Sequence, residues 1–244
     1  MRANLILSSA LFSLASMRGR TQMGREGSVV LYLGLDPSSY QKRLGGREDL
    51  QHIPMIATKR RPLRELTPSF QKLPCYQNLI LTSQQAARYF FATAKELQLS
   101  WEDALLVVVG KATQALCHRY APKASVVVAK EETQEGVIAL LQEQKITRCF
   151  WPKSSRARLL LQQFLERKER EDSCLFSLYD TLLLSPELPL EKASRAVFSS
   201  PSTVDAFFAL HPQPKKDLAL EALGPITWQR LLSKYPGRSI FKAF

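Results

Sequence analysis

The sequence predicts an α/β protein made of two parallel-sheet domains related by internal duplication. Three observations carry this reading. Short continuous apolar runs alternate with amphipathic stretches at helical spacing, the pattern of a parallel sheet covered on both faces. About nine strand candidates crowd a single sheet, so two smaller units are expected. A two-motif repeat then recurs at a nearly constant offset. Leu79-Ile80-Leu81-Thr82-Ser83 through Phe90-Phe91 resembles Ala196-Val197-Phe198-Ser199-Ser200 through Phe207-Phe208, and Val109-Gly110-Lys111-Ala112-Thr113 resembles Leu223-Gly224-Pro225-Ile226-Thr227. Ser83 and Ser200 lie 117 residues apart, Gly110 and Gly224 lie 114 apart, and one three-residue deletion reconciles the two.

The elements follow in order. Val29 to Leu33 is a strand and Pro37 to Leu44 a short helix. Ile53 to Ile56 is extended and leads into the basic connector Lys59-Arg60-Arg61-Pro62-Leu63-Arg64. Asn78 to Leu81 is a buried strand, after which Ala86, Phe90, Ala94 and Leu97 recur at helical spacing. Strands at 105–109, 126–128 and 148–151 alternate with helices at 111–120, 134–144 and 154–170. Leu175 to Leu184 is extended again. Ala196 to Phe198 precedes a helix at 202–210, and a strand at 218–223 precedes a last helix at 227–235. Ser239 to Phe244 is expected as an edge strand.

Composition narrows the function. The chain has 244 residues, 45% hydrophobic and 23% charged, which is ordinary for a globular protein and excludes wholesale disorder. No apolar run approaches the ~18–20 residues of a membrane span. A net charge of +12 favours an anionic partner. Residues 1–28 carry four Arg and one Glu, leaving +9 without them, and read as a disordered extension or a misplaced start. Cys75, Cys117, Cys149 and Cys174 are scattered, neither a disulfide framework nor a zinc cluster, and fit a reducing compartment such as the cytoplasm. Only His52, His118 and His211 are available as imidazole bases, and no zinc-hydrolase signature surrounds them. No GxGxxG or Walker loop supports a nucleotide, so no cofactor and no metal is expected. Nucleic-acid binding rests on charge alone, without basic–aromatic interleaving or a motif.

What remains is a cleft. Each repeated motif stands where a strand ends and a helix begins, the usual ligand crevice of an open parallel sheet. Ser83 and Ser200 suit N-caps. Gly110 and Gly224 either make a turn or admit a ligand close to the backbone. Helix N-termini there offer N–H groups to carboxylates or phosphates. Asp36, Glu131 and Glu132 read as solvated or capping acids. The groups Lys59-Arg60-Arg61-Arg64 and Lys153-Arg156-Arg158 are either solvated faces or ligand contacts. Tyr179, where the chain returns between the domains, is either a packing residue with a wet hydroxyl or a proton donor.

The ordered set Thr82-Ser83, Val109-Gly110-x-x-Thr113, Tyr179, Phe198-Ser199-Ser200-Pro201-Ser202 and Gly224-Pro225-x-Thr227 resembles the uroporphyrinogen-III synthase family over about Val29 to Tyr235. The resemblance implies two α/β domains joined by a two-stranded connector, one domain from 29–56 plus 195–244 and the other from 62–172, with 57–61 and 173–194 as connectors. It implies an enzyme that takes hydroxymethylbilane, a linear tetrapyrrole with eight carboxylates, and closes it with inversion of the terminal ring and loss of water. It also implies a monomer acting without a cofactor. By the same resemblance Tyr179 assists departure of the hydroxyl. Ser83, Gly110, Thr113, Ser200, Ser202, Gly224 and Thr227 become cleft residues that meet the substrate. The chain departs from the family at Leu35-Asp36-Pro37, where an Arg-Pro is usual. A non-catalytic two-domain module that clamps another polyanion is the alternative reading.

Overall fold

A computed structural model describes residues 29–46, 48–167, 172–236 and 240–244. The expected extension at 1–28 lies outside the described residues. Two sheets form. The first runs β11(Ile240–Lys242), β10(Ala219–Ala222), β9(Ala193–Phe198), β1(Val29–Tyr32), β2(Asp49–His52), and all its pairings are parallel. The second runs β3(Ile56–Arg60), β8(Cys174–Leu183), β7(Cys149–Ser154), β4(Asn78–Leu81), β5(Leu105–Val108), β6(Val126–Val128); only β3 is antiparallel, to β8. From their central strands the two orders match: β9, β10, β11 follow one another outward as β4, β5, β6 do, with β1–β2 and β7–β8 on the other side.

The central strands are rich in apolar residues because both of their faces are covered. Leu79, Leu81, Leu106, Val108 and Phe150 face one core with Phe90 and Phe70, while Ile80, Val107, Cys149 and Trp151 face another with Val137 and Leu161. The first sheet divides in the same way, with Val29, Leu31 and Phe198 on one face and Val30, Tyr32 and Val197 on the other.

The sequence misses β2, a polar and mostly exposed edge strand of composition DLQH. It also misses α2(Leu63–Phe70), which lies where a basic connector was expected and buries Leu66 and Phe70. The helix expected at 154–170 is corrected. Strand β7 runs on to Ser154 and α6 spans only Leu159–Leu165, with Leu161, Phe164 and Leu165 buried and Leu160 exposed. Pro152 does not break β7, although it cannot donate to a ladder. The remaining helices are α1(Ser38–Leu44), α3(Gln84–Glu96), α4(Lys111–Tyr120), α5(Gln134–Glu143), α7(Pro201–Leu210) and α8(Pro225–Lys234). Cys117 and Cys149 are buried as core cysteines, Cys174 is half-buried and Cys75 is exposed; none of the four is in a disulfide.

Candidate functional site

The repeated motifs stand at helix N-termini, and each does a local job. Ser83 caps α3, its Oγ accepting the Ala86 N–H at 3.0 Å. Ser200 caps α7 through a reciprocal box with Thr203, a buried threonine whose own hydroxyl donates to the Ser200 carbonyl at 2.6 Å. Gly110 and Gly224 are the extended N-caps of α4 and α8, and neither helix has a side-chain cap. Thr113 and Thr227, three residues on, are both 3% exposed. Ser202 is half-buried in the first turn of α7.

Two of the expected residues meet directly. The Tyr179 hydroxyl lies 3.2 Å from Ser83 Oγ, and the ring, 6% exposed, packs 5.4 Å from Tyr89. Burial pushes the Tyr179 hydroxyl above its ordinary pKa, partly opposed by hydrogen bonds from Ser83 and Ser154, so the phenol is held protonated. Tyr89 is itself tied to the connector, donating to the Thr58 carbonyl at 3.0 Å.

A second group gathers around a cavity of about 810 Å³, within the range of ligand pockets. Its walls come from both sheets' helical ends: Glu131, Glu132 and Thr133 on one side, Ser199, Gly224 and Thr227 on the other. Gly224 leaves open space at its Cα, whereas a Cβ at Gly110 would collide with the Glu132 carboxyl group. Glu132 Oε1 accepts the Lys111 N–H at 3.1 Å, so the N-terminus of α4 already holds a carboxylate. Of the expected residues only Gly224 and Thr227 line this cavity; Tyr179, Ser83, Gly110, Thr113, Ser200 and Ser202 do not. A smaller hollow of about 310 Å³ between α5 and α6 touches none of the motif residues.

Three of the seven expected basic residues are paired with acids. Arg60 binds Glu96 at 2.6 Å and Arg61 binds Asp180 at 3.0 Å. Arg158 takes Glu135 with both terminal nitrogens, at 2.7 and 2.6 Å, and holds that carboxyl down to about 2. Asp36 accepts the Ser38 N–H at 2.9 Å, and hydrogen bonds from Ser38 hold its pKa below the ordinary value, with the charge of Arg88 adding to this. It is a capping acid, as expected.

Three contributors escaped the sequence. Ser199 lines the cavity, and its side chain packs so close to Gly34 that no Cβ fits there. Its place beside Ser200 in the repeat was the available signal. Glu132 reads as a capping acid, but the helix it serves lies 21 residues away. Ser154 reaches Tyr179 only through a strand irregularity that no spacing rule shows. Among the described residues no cluster of His, Cys, Asp and Glu fits a metal.

The family model described as uroporphyrinogen-III synthase HemD matches residues 44–236. The chain belongs to the uroporphyrinogen-III synthase family. The family reaction is the cyclisation of hydroxymethylbilane to uroporphyrinogen III, a step of tetrapyrrole biosynthesis, and this is the chain's reaction. The fold is similar to that of solved synthases. A mutant uroporphyrinogen III synthase from the extremely thermophilic bacterium Thermus thermophilus aligns with a TM-score of 0.62 at 18% identity, over 88% of this chain and 91% of that one. The uroporphyrinogen-III synthetase of Helicobacter pylori aligns with a TM-score of 0.57 at 15% identity, over 88% and 92%. A search of curated protein sequences returns no match.

Proposed function

We propose that hydroxymethylbilane is held between the two sheet units, its carboxylates at the helix N-termini and its hydroxymethyl end at Tyr179. The observation that carries this is the buried Tyr179 hydroxyl, kept protonated by burial and held 3.2 Å from Ser83. As the hydroxymethyl C–O bond breaks, its electron pair leaves with oxygen. Tyr179 supplies the proton that completes the departing water, and the terminal pyrrole nitrogen feeds electrons into the carbon left behind. The resulting azafulvenium cation, its N–H retained, is closed through a spiro intermediate, and the ring-carbon proton released on closure restores the phenol. The substrate cyclises unaided without inversion, so the protein's main task is to hold one folded conformer.

Gly110, Thr113, Gly224 and Thr227 supply backbone N–H groups and hydroxyls at α4 and α8 for carboxylates, Ser200 and Ser202 do so at α7, and Ser83 brings the N-terminus of α3 to the substrate while its hydroxyl contacts Tyr179. The units are 29–56 with 195–244, and 62–172, joined by 57–61 and 173–194; the division of strands supports the split of the two units, with β3 and β8 of the connecting segments hydrogen-bonded into the second sheet. Their matched strand order and matched caps support descent by duplication. Four cysteines outside disulfides support a cytoplasmic setting. Among the described residues no helix is long and apolar enough to cross a membrane.

The test uses freshly made hydroxymethylbilane and resolves the uroporphyrinogen isomers. Tyr179→Phe is expected to slow formation of the inverted isomer ~100-fold, the lower end of what a positioned acid contributes, while the fold survives. Turnover equal to the parent protein removes Tyr179 from the reaction.

A further inference from the structure

Strands β7 and β8 run in register from Phe150↔Cys174 to Lys153↔Ser177, then slip, so that Ser154 stands opposite Tyr179. In an unbroken register Ser154 would face Leu178. The slip is a bulge on β8, and bulges beside reactive groups re-aim side chains. The backbone locks the arrangement, since the Ser155 N–H donates to the Tyr179 carbonyl at 2.9 Å. Thr181, two residues beyond Tyr179 and on the same face, places its hydroxyl 3.0 Å from Ser154 Oγ.

The Ser83–Tyr179 and Ser154–Thr181 contacts each allow either oxygen to donate. Ser83 Oγ accepts the Ala86 N–H at 3.0 Å, and Ser154 Oγ accepts the Arg156 N–H at 3.2 Å. Each serine therefore keeps its own O–H to donate. A phenol oxygen can accept two hydrogen bonds and donate one. In the arrangement where Ser83 and Ser154 donate to the phenol oxygen and Thr181 donates to Ser154, the hydrogens of Thr181, Ser154 and Ser83 are each used once. The phenol's own hydrogen is then the only one left without an internal acceptor.

We propose that Ser154 is a positioning residue that, with Ser83, turns the Tyr179 O–H toward the hydroxymethyl oxygen of the substrate and stabilises the phenolate once that proton has left. The proton balance is that of the proposed reaction: it passes from Tyr179 to the departing oxygen and returns from the pyrrole carbon at ring closure. This inference rests on the reading of Tyr179 as the proton donor.

The test is a double-mutant cycle on the full chain, measuring kcat and KM for the inverted isomer after subtraction of spontaneous closure. Ser154→Ala is expected to lower kcat about tenfold, near the upper worth of one hydrogen bond, with KM unchanged. Ser154→Thr, which keeps the hydroxyl, recovers most of the loss. In the Tyr179→Phe background Ser154→Ala adds no further loss. An equal loss in both backgrounds, or a loss confined to KM, overturns the proposal. If Tyr179→Phe is slow and Ser154→Ala is normal, the role of Ser154 falls while that of Tyr179 stands. If Tyr179→Phe is normal, both fall. Should Ser154→Ala not fold, Ser154→Cys replaces it: its weak donor must lower kcat below that of Ser154→Thr, and equal values overturn the proposal.

Discussion

The Glu132 carboxylate rests against Gly110 and accepts the N–H of Lys111 at 3.1 Å. An acid thus occupies one of two equivalent helix N-termini, while the space at Gly224 is open. If the substrate carboxylates bind as proposed, Glu132 competes with one of them for the start of α4. Glu132→Gln is expected to lower KM roughly two- to fivefold, the worth of one charge at a helix end. Steady-state kinetics checks this; an unchanged or raised KM rules out competition.

The capping box at α7 predicts a stability effect separable from binding. Ser200→Ala removes the acceptor of the Thr203 N–H and is expected to cost about 1 kcal/mol. For a chain of this size that lowers Tm by about 2–4 °C. A melting curve without substrate decides it, and an unchanged Tm means the cap contributes nothing.

The Glu135–Arg158 pair predicts a shallow acid dependence. Glu135 is held at about 2, below its ordinary 4.5. A lowered carboxylate pKa adds stability above 4.5, which is lost as pH falls toward 2. Because the Glu135 side chain is 48% exposed, solvent screening holds the effect to less than about 1 kcal/mol. Comparing parent and Glu135→Gln unfolding at pH 7 and pH 3 checks this. The gap between them should shrink at pH 3; a gap that widens overturns the assignment.

Phe150 predicts the opposite scale. It is fully buried among Phe70, Phe90 and Phe176, with ring centroids 5.2–6.3 Å away. Phe150→Ala is expected to cost about 3–5 kcal/mol, whereas Leu159→Ala, 58% exposed, should stay within about 0.5 kcal/mol. Urea unfolding of both variants measures the contrast.

Much of this architecture was legible because buried parallel strands announce themselves. Val29 to Tyr32 and Asn78 to Leu81 are apolar almost without interruption, and Ser83 and Ser200 cap the helices that follow their strands. The polar edge strand Asp49–His52 has no such signal, since only one neighbour specifies it. The overlong helix at 154–170 arose because Leu160, Leu161, Phe164 and Leu165 fit a helical stripe, whereas residues 154–158 have no large apolar position to tell strand end from helix start. At the site, Tyr179 and Ser83 were legible as motif members. Glu132 and Ser154 were not, because the partner of Glu132 lies 21 residues earlier, at the start of α4 and before β6, and that of Ser154 is set by a one-residue slip in a ladder.

The first sheet is assembled from both flanks of the second. Its strands β1 and β2 precede residue 53, and the central β9 that joins them to β10 begins at Ala193. At synthesis rates of ~5–20 residues per second, β1 emerges roughly 10–30 s before the strand that covers its open edge. The second sheet needs nothing beyond Leu183 and can close in that interval. Val29 to Tyr32, buried on every residue in the finished protein, is therefore an unpaired apolar edge throughout translation of the middle of the chain. The nascent protein is open to aggregation at that strand, and any shielding of it must last until β9 is made, after Ser83, Ser154 and Tyr179.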